Sequence, residues 1–153
     1  MTQLGILRFS TPVMMMWLLM AVEQPIIAAS IARLPDPETN LAAFGLAFSV
    51  ALIIESPVIM LLMAGTALAR DSRSYRLLWR FSVVLAVLVT AVHLLVALTP
   101  LYDVLMRGVV GAPEAVIAPG RQALALMFAW SAAIAFRRLW QGIMIRFDQT
   151  TRA

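Results

Sequence analysis

The sequence predicts an all-α, polytopic membrane protein with four transmembrane helices and both termini on the cytoplasmic side. Of its 153 residues, 62% are hydrophobic, and the mean hydropathy is +0.90. A soluble domain of this length does not need so much apolar surface to fill one core. In addition, every cationic side chain is an arginine, and the arginines flank long apolar stretches. We predict a single membrane domain over residues 1–153.

The first predicted span covers residues 12–32. It starts at Pro12, which suits the first turn of a helix. It also contains Glu23, Gln24 and Pro25, and it is too long for the apolar region of a signal peptide, so we expect it to be retained. A polar turn over residues 33–40 leads to the next span.

The second predicted span, residues 41–69, is long and has a single formal charge, Glu55. A helix of this length measures roughly 43 Å, more than the roughly 30 Å hydrocarbon core, so it must tilt or bend. Pro57 supplies a bend and frees a backbone carbonyl one turn earlier, while Ser56 separates the proline from the acid. The centre of this span must therefore face protein or water.

The remaining spans are predicted over residues 81–99 and 121–146. The third contains His93 and ends at Pro100, and it follows a linker over 70–80 that is rich in arginine. Repeated prolines and glycines over residues 100–120 favour a periplasmic interfacial loop or a short surface helix rather than a span. The fourth span is apolar to residue 136, after which Arg137 and Arg138 extend to the interface.

The distribution of the 12 arginines predicts the orientation. With the N-terminus inside, nine lie in or toward the cytoplasm: Arg8, Arg70, Arg73, Arg76, Arg80, Arg137, Arg138, Arg146 and Arg152. Only Arg33, Arg107 and Arg121 lie outside. This positive-inside bias favours N-in/C-in, and we expect the location to be a bacterial cytoplasmic (inner) membrane.

Three ionisable groups share one depth near the bilayer midplane. Counting about 1.5 Å per residue from the cytoplasmic ends places Glu23 about 16 Å, His93 about 18 Å, and both Glu55 and Ser131 about 21 Å into the membrane. We predict an ion-coupling or substrate pathway formed by Glu23, Gln24, Pro25, Glu55, Ser56, Pro57 and His93. In this pathway desolvated carboxylates exchange a proton or sodium ion for cargo, as a coupled pair if they are close. The alternative is that these groups hydrogen-bond in neutral form and only fix helix packing.

Several function classes find no support in the sequence. It has no cysteine and one histidine, so a disulfide framework, thiol chemistry and a zinc site are excluded. No phosphate-binding glycine loop and no nucleophile with a matching base is present, so we expect no enzyme, no cofactor and no metal centre. The arginines act as topology signals, so nucleic acid is not an expected partner.

The order of these features resembles the start of the multidrug and toxic compound extrusion (MATE) transporters. The similarity is carried by the first span with its acid and proline, by residues 65–70 (GTALAR), by residues 105–114 (LMRGVVGAPE), and by residues 138–142 (RLWQG) followed by Arg146 and Thr150. Within the same flippase superfamily, residues 23–25 (EQP) and 44–49 (FGLAFS) are similar to the progressive ankylosis transporter.

The resemblance implies a secondary transporter in which two six-helix lobes alternate access to a central cavity. It matches Glu23 to the carboxylate that couples export of a small organic molecule to inward proton or sodium flow, and Pro25 to its kink. Many relatives have aspartate at that position. Members of the family have twelve spans, whereas four are predicted here.

Three interpretations follow from this shortfall. The chain is the N-terminal portion of a MATE-type transporter and does not transport alone, or it is a complete small protein that oligomerises as an exporter or accessory subunit. In the third, it is a structural membrane protein. The expected partners are the lipid bilayer, the remaining transporter helices or further copies of the chain, and small-molecule cargo.

Overall fold

The structure is a computed structural model that describes residues 3–147, with side chains described from residue 10 onward. Within this range the chain is helical and has no strand. Thr150 and Arg152, which entered the resemblance and the orientation, lie outside the described residues, as does the side chain of Arg8.

Seven α-helices and one short π-helical segment follow one another along the described chain. In order they are α1 (Gln3–Ile31), α2 (Pro37–Ile59), α3 (Leu61–Leu68), α4 (Ser72–Leu98), α5 (Leu101–Leu105), a π-helical segment (Met106–Val110), α6 (Glu114–Leu126) and α7 (Phe128–Arg146).

Three stretches of helix are long and apolar enough to cross a membrane: Ser10–Ile31, Pro37–Leu68 and Ser72–Leu98. A fourth crossing is formed if α6 and α7, which meet at a bend of 46°, are counted as one span. The predicted helical membrane class is therefore confirmed, with three or four spans. The N-in/C-in orientation stays a prediction.

The second span turns where its proline predicts a bend. α2 ends at Ile59 and α3 starts at Leu61, so the turn at Met60 lies three residues after Pro57. Proline has no N–H for the carbonyl four residues earlier, that of Ile53. The Ser56 hydroxyl donates to this Ile53 carbonyl at 2.9 Å. The span can therefore bend without leaving that carbonyl unpaired in an apolar environment.

Of the loop and the short helix predicted over residues 100–120, the structure shows mostly helix. This part of the chain contains α5, the π-helical segment and the first half of α6, so the fourth helical stretch begins at Glu114 rather than at 121. Gly120 serves close packing, because a β-carbon added to it would overlap the Tyr102 hydroxyl. Gly111 instead has the left-handed backbone conformation that favours glycine, and it ends the π-helical segment.

The arginine-rich stretch over residues 70–80 is also largely helical, because α4 begins at Ser72 and not at 81. Its start is fixed by a reciprocal cap. The Asp71 carboxylate accepts from the backbone N–H groups of Arg73 (3.0 Å) and Ser74 (2.7 Å). The Ser74 hydroxyl oxygen in turn accepts from the Asp71 N–H at 2.9 Å.

We expect Asp71→Ala to lower the melting temperature of the detergent-solubilised chain at pH 7, because the first turn of α4 loses its cap. Hydrogen bonds from Ser74, first its backbone N–H and then its hydroxyl, hold the pKa of Asp71 below its usual value. The carboxylate therefore stabilises the fold above about pH 4, and this contribution is lost as the pH falls through the lowered pKa.

Asp71→Asn is the matched control, since asparagine caps helices about as well as aspartate. It should melt close to the parent protein at pH 7. A melting temperature of Asp71→Ala equal to that of Asp71→Asn at pH 7 would contradict the role of the cap.

Helices α2, α3, α4, α6 and α7 form the packed body of the protein. α7 crosses α3 and α4, and α6 packs against α2. The tightest crossing joins Gly65 of α3 to Gly142 of α7, where the Thr66 hydroxyl donates to the Gly142 carbonyl at 3.2 Å. α1 lies at the edge: no residue in its most apolar 18-residue window is buried.

Candidate functional site: a buried carboxylate, serine and histidine

Glu55 belongs to the face of α2 that packs into the body of the protein. Its side chain is 2% exposed and lies in line with buried Ala47 and Ala51, which precede it by two turns and one turn. This spacing of four residues keeps the three side chains on one face. The fold therefore encloses the acid and does not turn it toward lipid.

His93 and Ser131 come from the other two helices that pack here. His93 lies on the buried face of α4, four residues after Val89, and Ser131 lies in the first turn of α7, four residues before Ala135. Both side chains are 0% exposed. Three helices that are distant in sequence thus each contribute one polar side chain to the same enclosed region.

These three side chains and one backbone carbonyl form a continuous hydrogen-bonded chain, named here the Glu55 cluster. Ser131 Oγ lies 2.9 Å from Glu55 Oε1 and 3.1 Å from His93 Nδ1. His93 Nε2 lies 2.8 Å from the carbonyl oxygen of Leu124. The serine hydroxyl is therefore the link between the carboxyl group and the imidazole.

The bend between α6 and α7 presents this carbonyl. At the end of α6 the Leu124 carbonyl accepts from the Met127 N–H at 3.1 Å, a bond to the third residue onward. His93 is its second donor. Kinks arise where a side chain enters the backbone hydrogen-bond ladder, and no proline lies at the break. The imidazole thus contacts the backbone hydrogen-bond ladder at the position of the bend.

Hydrogen-bond accounting shows how many protons the Glu55 cluster holds. The Leu124 carbonyl can only accept, so His93 Nε2 must carry a proton. The Ser131 hydroxyl has one proton, which it gives either to Glu55 or to Nδ1 of His93. In the first case the carboxylate is ionised and Nδ1 must itself donate, so the histidine is an imidazolium; in the second the carboxyl is neutral and donates to the serine.

Both arrangements have zero net charge, and they interconvert by proton transfer through the serine. If the cluster loses one proton from either arrangement, Glu55 is ionised and His93 is neutral. Both groups then compete for the single proton of the Ser131 hydroxyl, so one of its two contacts loses its hydrogen bond. The geometry thus suits a site that holds one exchangeable proton in a place shielded from water.

Glu23 does not join this cluster, although the sequence predicts a shared layer. It lines a separate cavity between α1 and α7, and no hydrogen bond links it to Glu55, Ser131 or His93. Gln24 and Pro25 accompany it on α1, and Pro25 is inside that helix. The structure therefore brings Glu55 and His93 together and separates them from the predicted first-span residues.

No candidate metal centre is present in the described part of the chain, where no three histidine, aspartate or glutamate side chains gather. Glu55 and Ser131 supply oxygen atoms, but a sodium ion needs several more oxygen ligands than these two. The donor set of the Glu55 cluster fits a proton better than a metal ion.

The sequence predicts no role for two members of the cluster. Residue counting places Ser131 at the same depth as Glu55, but a single serine in an apolar span gives no sign of its partner. The Leu124 carbonyl has no side-chain signal at all. Only the rotation of α7 about its axis and the bend before it reveal these two contacts.

In comparisons with known proteins, no family profile, no curated protein sequence and no solved structure matches the chain. The resemblance to the MATE transporters therefore rests on the residues quoted for it in the sequence.

Proposed function

We propose that the chain is part of a secondary active transporter of the MATE or flippase type that couples export of a small organic molecule to inward ion flow. One observation supports the coupling role above the others: the Glu55 cluster is buried between three helices and satisfies every contact when it holds one proton. Proton coupling is accordingly favoured over sodium coupling.

In this proposal the membrane is the bacterial inner membrane, and the chain catalyses no covalent reaction. Remaining transporter helices, or further copies of the chain, complete the pathway for the cargo. No residue is buried in the most apolar window of α1, which leaves room for such neighbours. Protonation from one side and release to the other then require the cluster to open alternately, as in transporters whose sites lie near the midplane.

The coupling role predicts that Glu55→Gln lowers efflux driven by a pH gradient on the order of tenfold and removes its pH dependence. Glutamine keeps the size of the side chain but cannot release a proton. The measurement is export of a fluorescent organic molecule from membrane vesicles that contain the complete assembly, with an imposed pH gradient or an imposed sodium gradient. If the sodium gradient drives export and the pH gradient does not, the coupling ion is sodium and not the proton.

Glu38→Gln is the matched control, because Glu38 is an exposed acid in the first turn of the same helix. It should leave the pH dependence unchanged. The second candidate function is purely structural, and it is favoured by the fully hydrogen-bonded state of the cluster. Unchanged efflux and unchanged pH dependence in Glu55→Gln would support that structural role and refute the coupling role.

A further inference from the structure

A cavity of about 210 Å³ lies between α1 and α7, apart from the Glu55 cluster. Its walls combine opposite charges with apolar surface. The walls include Met20 and Glu23 of α1 and Trp130, Ile134, Arg137 and Arg138 of α7. The cavity is smaller than the roughly 300 Å³ at which sites for drug-sized ligands begin, so any occupant must be small.

Arg138 is the most unusual of these residues. Its side chain is only 8% exposed, and no hydrogen-bond acceptor or carboxylate contacts its guanidinium group among the described residues. The guanidinium carbon lies 5.3 Å from the centroid of the Trp17 ring, which orients the group but supplies no anion. A buried cation in an apolar span is costly unless an anion compensates it.

The opposite wall of the cavity carries an acid that lacks a cationic partner. Glu23 is half-buried and lines the same cavity, yet it forms no ion pair with Arg137 or Arg138. Close by, the interface of α1 and α7 contains a second unsatisfied group: Gln141 donates to the Met16 sulfur, but its buried Oε1 has no donor. Opposite charges thus face each other across a space that neither side chain closes.

We propose that this cavity binds a small zwitterion, with its oxyanion on Arg138 and Arg137 and its ammonium group on Glu23. An anion alone would compensate the arginines but leave the Glu23 carboxylate unpaired, and a cation alone would do the reverse. A molecule that carries both groups on one carbon satisfies both walls. An apolar substituent then packs against Met20, Trp130 and Ile134, and the volume matches an α-amino acid.

The test is equilibrium binding of radiolabelled L-phenylalanine to the full chain in nanodiscs of phosphatidylglycerol, a lipid without an ammonium group. No ion gradient is applied, so the result does not depend on the proton role of Glu55. Two competitors each lack one charge: phenethylamine has no carboxylate and 3-phenylpropanoate has no ammonium. Both are expected to bind about tenfold or more weakly, because each loses one charge-assisted hydrogen-bonding partner.

Variants provide the second arm. Glu23→Gln and Arg138→Gln should each weaken phenylalanine binding about tenfold or more, while Arg138→Lys, which keeps the charge, should weaken it less. Because Glu23→Gln removes the partner of the ammonium, it should also abolish the preference for phenylalanine over 3-phenylpropanoate. Arg80→Gln and Glu38→Gln remove the same charges at exposed positions and should leave the affinity unchanged.

Adding phosphatidylethanolamine, whose headgroup carries both charges, distinguishes two sources of the zwitterion. Competition by this lipid assigns the cavity to a lipid headgroup, and absence of competition assigns it to a soluble amino acid. The proposal is overturned if phenylalanine shows no saturable binding, or if phenethylamine and 3-phenylpropanoate bind as tightly as phenylalanine. It is also overturned if Glu23→Gln and Arg138→Gln have the same affinity for phenylalanine as their exposed controls.

Discussion

Replacing Ser131 with alanine is expected to lower the free energy of unfolding by about 3 kcal/mol. The change removes one oxygen atom but leaves two buried groups without a partner, the Glu55 carboxyl oxygen and His93 Nδ1. Leaving a buried polar group unsatisfied costs about 1–3 kcal/mol, and more if the group is charged. The measurement is reversible unfolding of the detergent-solubilised chain, followed by circular dichroism.

Ser82 provides a control of the same residue type and the same burial. Its side chain is also 0% exposed, but its hydroxyl donates only to the Leu78 carbonyl of its own helix, at 2.8 Å. Alanine there leaves no other side chain unpaired and improves helix propensity, so Ser82→Ala should change stability by about 0.5 kcal/mol or less. If both substitutions had the same effect, the hydrogen-bonded chain through Ser131 would not be a stabilising feature.

Gly142→Ala is expected to have a comparable effect on stability for a different reason. A β-carbon at this position would overlap the Leu62 carbonyl oxygen and lie 3.1 Å from the α-carbon of Gly65. Both obstacles are backbone, so α3 and α7 must separate to accommodate it. Overpacking of an interior costs about 1–3 kcal/mol, and we expect about 3 kcal/mol here because no flexible side chain can yield.

Separation of these helices also breaks contacts at the crossing. The Arg146 guanidinium donates to the Thr66 carbonyl at 2.7 Å, and this bond spans the same pair of helices. Gly45→Ala is the control, because a β-carbon at Gly45 has no neighbour within 4 Å. It should be neutral or stabilise by about 1 kcal/mol, since alanine favours helix over glycine. Unfolding curves that coincide for the two variants would contradict the close crossing.

The membrane class follows from the sequence because it depends on composition and segment length, which need no tertiary information. The second span, its bend near Pro57 and the burial of Glu55 follow for the same reason, since a lone acid in an apolar helix has few places to face. The sequence does not predict the helix starts at Ser72 and Glu114, because hydropathy reports how far the apolar sequence extends and not where backbone hydrogen bonding begins.

The separation of Glu23 from Glu55 shows a second limit. Residue counting gives the depth of a side chain along a helix but not the direction in which it points around that helix. Residue counting gives Glu23 and Glu55 similar depths, yet Glu23 lines a cavity with Arg138, whereas Glu55 contacts Ser131. Rotation of a helix about its axis depends on small differences in packing, such as the contact of Gly65 with Gly142, that one sequence does not reveal.

The bend of 46° between α6 and α7 has a mechanical consequence. A kink imposed by proline is permanent, because the missing N–H cannot be restored. The kink after Leu124 is instead accompanied by a side-chain donor, His93 Nε2, which occupies the carbonyl oxygen. The same oxygen also accepts from the Met127 N–H, so the bend and α4 share one hydrogen-bonded carbonyl. Because His93 Nε2 donates in both arrangements of the Glu55 cluster, the bent span and α4 stay joined at this point whichever group holds the exchangeable proton.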